Sequence, residues 1–249
     1  MTASMTFNEI DLTAYNLRVI DTGLRKIQQV IPVVQLKDKG YPFTPQREAR
    51  ELHVIVTVTG SSLAALDANL DDIQEILRTE TPDTLVFDAF NDRYYNALLR
   101  NIEGDYMGTL LWRGTLEFVC ADPLGYDVTE EDNDHAIDAD PDTLSETPGG
   151  NVFIEPVFTL TSGDNLVAAT IQLKNNNTGE ETTWVGNLGN GQELEIDVAN
   201  WTIKKEGALS MATFSGQFPR LLPGVANSLI VTGMNSAGNL NIVYRNRYL

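Results

Sequence analysis

The sequence predicts a mainly β protein of two domains. The first is α+β, with one helix packed on a β-sheet or sandwich; the second is all β. Three observations carry this reading. A β-branched run at Leu52–Thr59 is followed by one segment of helical apolar period. Three strand-like runs then crowd into Leu85–Tyr126. After residue 150, short apolar runs alternate with Asn- and Gly-rich turns, and no helical period returns.

Taken in order, Leu17–Ile20 reads as a short strand and Asp21-Thr22-Gly23 as a turn. Residues 28–50 read as an early arm and loop, because Pro32, Gly40, Pro42 and Pro45 interrupt the apolar residues. Such a segment suits contact with a neighbouring subunit. Leu52–Thr59 (LHVIVTVT) reads as a strand closed by Gly60. Ser61 or Ser62 can cap the helix that follows, predicted over about 62–78. There Leu63, Leu66, Leu70, Ile73, Ile76 and Leu77 recur at three- and four-residue spacing and form one face. The next strands fall at Leu85–Phe90, Tyr94–Arg100 and Leu110–Cys120, with a turn expected at Asn91-Asp92. The third stops at Ala121-Asp122-Pro123, since proline has no N–H to give to a ladder.

These elements give an N-terminal domain over 1–126. Residues 127–150 (DVTEEDNDHAIDADPDTLSETPGG) are polar and acidic and read as a linker or solvated loop. Residues 151–249 form the all-β domain. Its strands are expected at Val152–Leu160, Leu166–Leu173, Thr182–Val185, Glu193–Val198, Met211–Phe214, Ser228–Thr232 and Leu240–Tyr244. Regular short strands with such turns indicate a sandwich or barrel.

Net charge is −18, unevenly spread. Residues 114–173 hold no Lys or Arg and 13 Asp or Glu. That excess repels phosphate and disfavours ordinary nucleic-acid binding; it suits a pore through which DNA slides without sticking and suits solubility in high salt equally well. No apolar run has the length of a membrane span, and the first residues lack the basic and apolar regions of a signal peptide. The single cysteine, Cys120, lies in an apolar strand and reads as a small buried hydrophobe. Two distant histidines, His53 and His135, leave little material for zinc or nucleophile-His chemistry. The acids from Asp132 to Asp142 miss the EF-hand template: from Asp138, the glycine position is Thr143 and the terminal acid position is Gly149. No catalytic residue, cofactor or metal site is therefore expected. Trp184 and Trp201 are the candidates for stacking on a sugar ring, with core packing as the alternative.

Several motifs resemble one family, the distal tail (Dit) proteins of siphophages. Asp92-Arg93-Tyr94-Tyr95 is similar to that family's hairpin turn. Phe118-Val119-Cys120-Ala121-Asp122-Pro123-Leu124-Gly125-Tyr126 is similar to its strand ending F-x-C-x-D-P-x-x-Y. Pro156-Val157-Phe158, Ile171–Asn175 and Glu195-Ile196-Asp197 resemble stations of its C-terminal domain. One departure is that Ile31–Gly40 replaces a glycine-rich arm element of many relatives.

The resemblance implies a galectin-like sandwich for the C-terminal domain. It implies a structural virion protein, not an enzyme: a homohexameric ring at the distal end of a long non-contractile tail. That ring would join the tail tube protein to the tail-tip hub and leave a channel for DNA. The expected location is the virion tail tip, after synthesis in the host cytoplasm. A receptor-binding protein or a host glycan would be a further partner. Residues expected to matter for packing or subunit contact are Arg47, Arg50, Arg93, Tyr94, Tyr95, Phe118, Asp122, Pro123 and Tyr126. Two alternatives stay open: a carbohydrate- or receptor-binding module acting through the C-terminal sandwich, and a tail tube protein.

Overall fold

A computed structural model describes residues 4–24, 29–30, 33–36, 39–42, 46–47, 49–235 and 237–249. The chain divides into two compact units between Val128 and Thr129.

In unit 1 the strands are β1 (Met5–Phe7), β2 (Ile10–Asp11), β3 (Leu17–Asp21), β4 (Gln29–Val30), β5 (Val33–Leu36), β6 (Lys39–Pro42), β7 (Gln46–Arg47), β8 (Arg50–Thr59), β9 (Asp83–Phe87), β10 (Phe90–Tyr106), β11 (Leu111–Cys120) and β12 (Gly125–Asp127). Of the arm expected over 28–50, only the backbone of the short pairs β4–β7 and β5–β6 is described. The side chain of Arg47, like those of the other cations from Arg25 to Lys39, lies outside the described residues.

β8 alternates strictly, with Leu52, Val54, Val56 and Val58 all fully buried. It pairs β11 over ten residues, from Leu111↔Thr59 to Cys120↔Arg50. Helix α1 (Leu63–Leu77) starts where the Ser62 side chain accepts the Ala65 N–H at 3.2 Å. Its buried face, Leu66, Ile73 and Leu77, joins the same core as β8. Each such side chain contributes about 2 kcal/mol by leaving water.

β10 is the element that shapes this domain. Its first half pairs β9 and β12, and its second half pairs β11. It leaves β9 after Ala97 and takes up β11 from Leu98, and its register with β11 shifts between Leu99 and Asn101. The turn into β10 differs from the expected one. Phe87 pairs Phe90, so the chain reverses at Asp88-Ala89. Asn91-Asp92 lies instead in the irregular stretch between Phe90 and Tyr94. Asn-Asp is a strong turn signal locally, but the inward positions of Leu85, Phe87 and Tyr95 set the register.

Unit 2 has strands β13 (Glu131–Ile137), β14 (Asp142–Glu146), β15 (Val157–Ser162), β16 (Leu166–Asn175), β17 (Glu181–Leu188), β18 (Glu193–Asp197), β19 (Thr202–Lys205), β20 (Ala208–Leu209), β21 (Phe214–Gly216), β22 (Asn227–Thr232), β23 (Gly238–Tyr244) and β24 (Arg247–Tyr248). One sheet runs β13-β23-β15-β18-β19-β20 and the other β14-β22-β16-β17-β21. Phe158, Leu160, Leu194, Ile196, Leu240 and Ile242 from the first meet Ile171, Leu173, Trp184, Leu229 and Val231 from the second in one core. This is a two-sheet sandwich.

The acidic stretch corrects the sequence expectation. Residues 127–150 are not a linker: they contain β13 and β14, the outermost strands of the two sheets. In β13, Asp132 and Asp134 face outward while Ile137 is buried. Asn241 donates to Asp132 at 2.6 Å, and Asn239 to Asp134 at 2.7 Å. Carboxylates on an edge strand also discourage pairing with a foreign strand. Composition hid the strand because it carries almost no apolar residues. The expected strand at Met211–Phe214 is likewise corrected, since the strand there is β21 and Met211 precedes it.

Candidate functional site

The expected packing residues of unit 1 gather at one end of its sheets. Arg50 is buried, and its Nη2 donates to the Leu24 carbonyl at 2.8 Å and its Nη1 to the Pro123 carbonyl at 3.3 Å. Its guanidinium lies over the ring of Tyr95. Arg50 therefore ties Leu24, Pro123 and Tyr95 together within its own chain. Burial pushes the Tyr95 hydroxyl above its ordinary range, against the opposing pull of Arg50 and Arg93.

The Asp-Pro-x-x-Tyr motif explains itself here. One Asp122 oxygen accepts the Leu124 N–H at 3.1 Å, and the other accepts the Tyr126 hydroxyl. Pro123 stops the ladder, Asp122 turns the chain, and Tyr126 returns to pair and stack with Tyr94 at 5.6 Å. Phe118 is fully buried and meets Phe7 at 5.8 Å. Cys120 is also fully buried, and burial pushes its thiol up to about 11. Arg93 faces Asp92 at 3.5 Å, while Asp88 accepts from Ser4.

A cleft of about 480 Å³ opens between α1 and the sheet, bordered by Asp67, Leu70, Ile102, Tyr106 and Trp112. Tyr106 donates to Asp67 at 2.7 Å across its mouth. Beside it the β10–β11 tip exposes Tyr106, Met107 and Leu110. The Trp112 indole lies over Gly114, where a Cβ would come within 2.1 Å of the ring.

In unit 2 the two candidate tryptophans part company. Trp184 is only 2% exposed; its indole lies over Gly186, and its Nε1 donates to Ser210 at 3.0 Å. Of the two readings open for Trp184, the geometry is that of core packing, since its strand alternation points it inward. Trp201 is 70% exposed and borders a second cleft, of about 550 Å³.

Sequence reasoning missed a buried polar cluster. Glu146 accepts from the Tyr244 hydroxyl at 2.7 Å and from Asn133 at 3.2 Å, and lies 2.9 Å from His135 Nε2. Burial and then the Glu146 carboxylate hold the Tyr244 hydroxyl far above its ordinary range. Asn175 and Asn227, both fully buried, tie β16, β22 and the adjoining turns. Among the described residues, no group of three or more His, Cys, Asp or Glu could hold a metal ion. Asp140 and Asp142 accept backbone N–H groups instead, as from Gly233 at 2.8 Å and Asp138 at 2.7 Å. No helix among the described residues is long and apolar enough to cross a membrane.

The motif-bearing sheets of unit 1 and the sandwich of unit 2 define a β-rich protein of two units. Residues 149–248 match the family model described as siphovirus-type tail component, C-terminal domain. The chain's fold is similar to that of the SPP1 Dit (gp 19.1) protein, described as a paradigm of hub adsorption apparatus in Gram-positive infecting phages. That similarity has a TM-score of 0.81 at 18% identity and covers 100% of both chains. Two structures of the phage P2 baseplate in its activated conformation also match. The one with Ca has TM-score 0.50 at 12% identity over 98% of each chain. The one with Sr has TM-score 0.50 at 11% identity over 97% of each chain. No curated protein matches the sequence.

Proposed function

We propose that this tail component forms a homohexameric ring at the distal end of a long non-contractile tail. The ring joins the tail tube to the tail-tip hub and leaves a channel for DNA. The observation that carries the reading is the end-to-end likeness of its fold to the SPP1 Dit hub protein, joined to the family match of its second domain.

The chemistry of unit 1 is compatible with ring closure. β3 is an outermost strand that pairs only β8 among the described residues, and its own Ile20 is 54% exposed. An open rim of this kind suits pairing with the next copy in a heterologous, closing contact. The net charge of −18 suits a channel wall that lets DNA pass without holding it. Structural work in the virion needs no catalytic centre, and none enters this reading.

Sedimentation equilibrium of the purified chain, alone and mixed with its tube and hub partners, tests the proposal. A mass of six copies is expected. A monomer at every concentration, with and without those partners, overturns it.

A further inference from the structure

We propose that the Trp201 cleft of unit 2 is a binding site for a neutral pyranose sugar. Its lining combines the aromatic rings of Trp201, Phe214 and Phe218 with the polar side chains of Glu180, Gln217 and Arg220. Unit 2 alone supplies all of these residues. A binding role of this kind goes beyond ring assembly and does not depend on it.

Trp201 itself is the first ground. It ends the turn between β18 and β19 with φ +56°, in the left-handed region that disfavours a side-chain-bearing residue by about 1–2 kcal/mol. A residue in that conformation is usually glycine or asparagine. At 70% exposure the indole recovers little of the cost by burial. The turn is rigid without it. Asp197, which is buried, accepts the Asn200 backbone N–H at 3.0 Å and its side-chain amide at 2.7 Å. Folding therefore does not explain a tryptophan here, while a flat apolar surface held at the mouth of a cleft suits the C–H face of a sugar ring.

Charge is the second ground. The whole chain is strongly acidic, yet the cleft is internally neutralised. Arg220 Nε and backbone N–H donate to Glu180 at 2.9 and 2.8 Å, and Arg247 donates to Glu155 at 2.6 Å. The Arg220 guanidinium also covers the Phe153 ring at 4.7 Å. Two carboxylates balanced by two guanidiniums repel neither sign, and no spare cation is set aside for a phosphate. What remains is a rim of fixed donors and acceptors, with the exposed Gln217 amide among them. Hydroxyl groups can be donors and acceptors at once, and suit such a rim. The Arg220 side chain is 43% exposed, so the rim is reachable. An apolar floor with a few placed polar groups is the usual makeup of a small-ligand cleft.

Fluorescence of the full-length chain tests the assignment. Trp112 and Trp184 are 6% and 2% exposed, so iodide should quench Trp201 alone. Glucose, galactose, N-acetylglucosamine and rhamnose are titrated separately. At least one should shift the emission to the blue and protect it from iodide, with an affinity on the order of millimolar.

Binding of that sugar, read by saturation-transfer NMR, should weaken roughly tenfold or more in Trp201→Ala. It should weaken several-fold in Gln217→Ala. Trp201→Gly should melt at or above the wild-type temperature, showing that lost binding is not lost folding. Failure of all four sugars to bind overturns the proposal, as does undiminished binding by Trp201→Ala. Binding confined to polyanionic glycans and abolished by salt overturns the neutral-ligand assignment. Hexamer formation is read independently, so either proposal can fail alone.

Discussion

The guanidinium of Arg50 lies over the ring of Tyr95, 5.4 Å from its centroid, and the same group ties the carbonyls of Leu24 and Pro123. One cation thus joins the start of β8, the middle of β10 and the turn after β11. Replacing Arg50 by Leu should lower the stability of unit 1 by about 2–3 kcal/mol, because it orphans carbonyls held by a charged donor. Lysine should not restore it, having a point charge where a planar fork is needed. Calorimetry should show the transition of unit 1 moving down and that of unit 2 unmoved. Loss of hexamers at unchanged stability would instead place Arg50 at a subunit contact.

Asn227 is the comparable anchor of unit 2. Its amide donates to the carbonyls of Leu222 at 2.9 Å and Val225 at 3.0 Å, and its oxygen accepts the Leu222 N–H at 2.8 Å. The side chain is fully buried. Asn227→Ala should cost about 3 kcal/mol by leaving several buried groups without partners. Asn227→Asp should cost more, since it sets a carboxylate against carbonyl oxygens. Urea midpoints for the two variants check the order.

Glu180 should make unit 2 acid-sensitive. Burial alone would raise its carboxyl, but the Arg220 guanidinium and backbone N–H outweigh it and hold the group below its ordinary range. The unfolded chain therefore takes up the proton first as pH falls. The stabilisation is complete above the unfolded value of about 4.3 and is lost as pH drops through the folded one. Glu180→Gln should be less stable at neutral pH and should show a shallower fall in melting temperature below about pH 4.3. Parallel acid curves for the two proteins would rule this out.

Cys120 should be inert in the native chain. It is fully buried, with its thiol pushed up to about 11. Thiolate is the reactive form, so a disulfide reagent at pH 8 should label it only after denaturant is added. Labelling of the native chain at the denatured rate would contradict its placement. Because the folded thiol holds its proton more tightly than the unfolded one, stability should decline as pH rises from about 8.5 toward the folded value.

The sequence by itself determined most of the element order. Alternation in Leu52–Thr59, the single helical face of α1 and the proline stop at Pro123 are local signals, and the structure keeps all three, save that Leu63 of the expected face is exposed. It also carried the resemblance to the distal tail family, because Phe118, Cys120, Asp122 and Tyr126 sit at a motif spacing that the turn uses. Tertiary structure decided the rest. It turned the acidic stretch into two edge strands, since a strand with few apolar residues is set by its ladder partners and not by its composition. It moved the hairpin turn to Asp88-Ala89, where the register of the inward side chains overrides the preference of Asn91-Asp92. It also buried Trp184 and left Trp201 in water, a difference fixed by which sheet face or turn each occupies and not by the residue type.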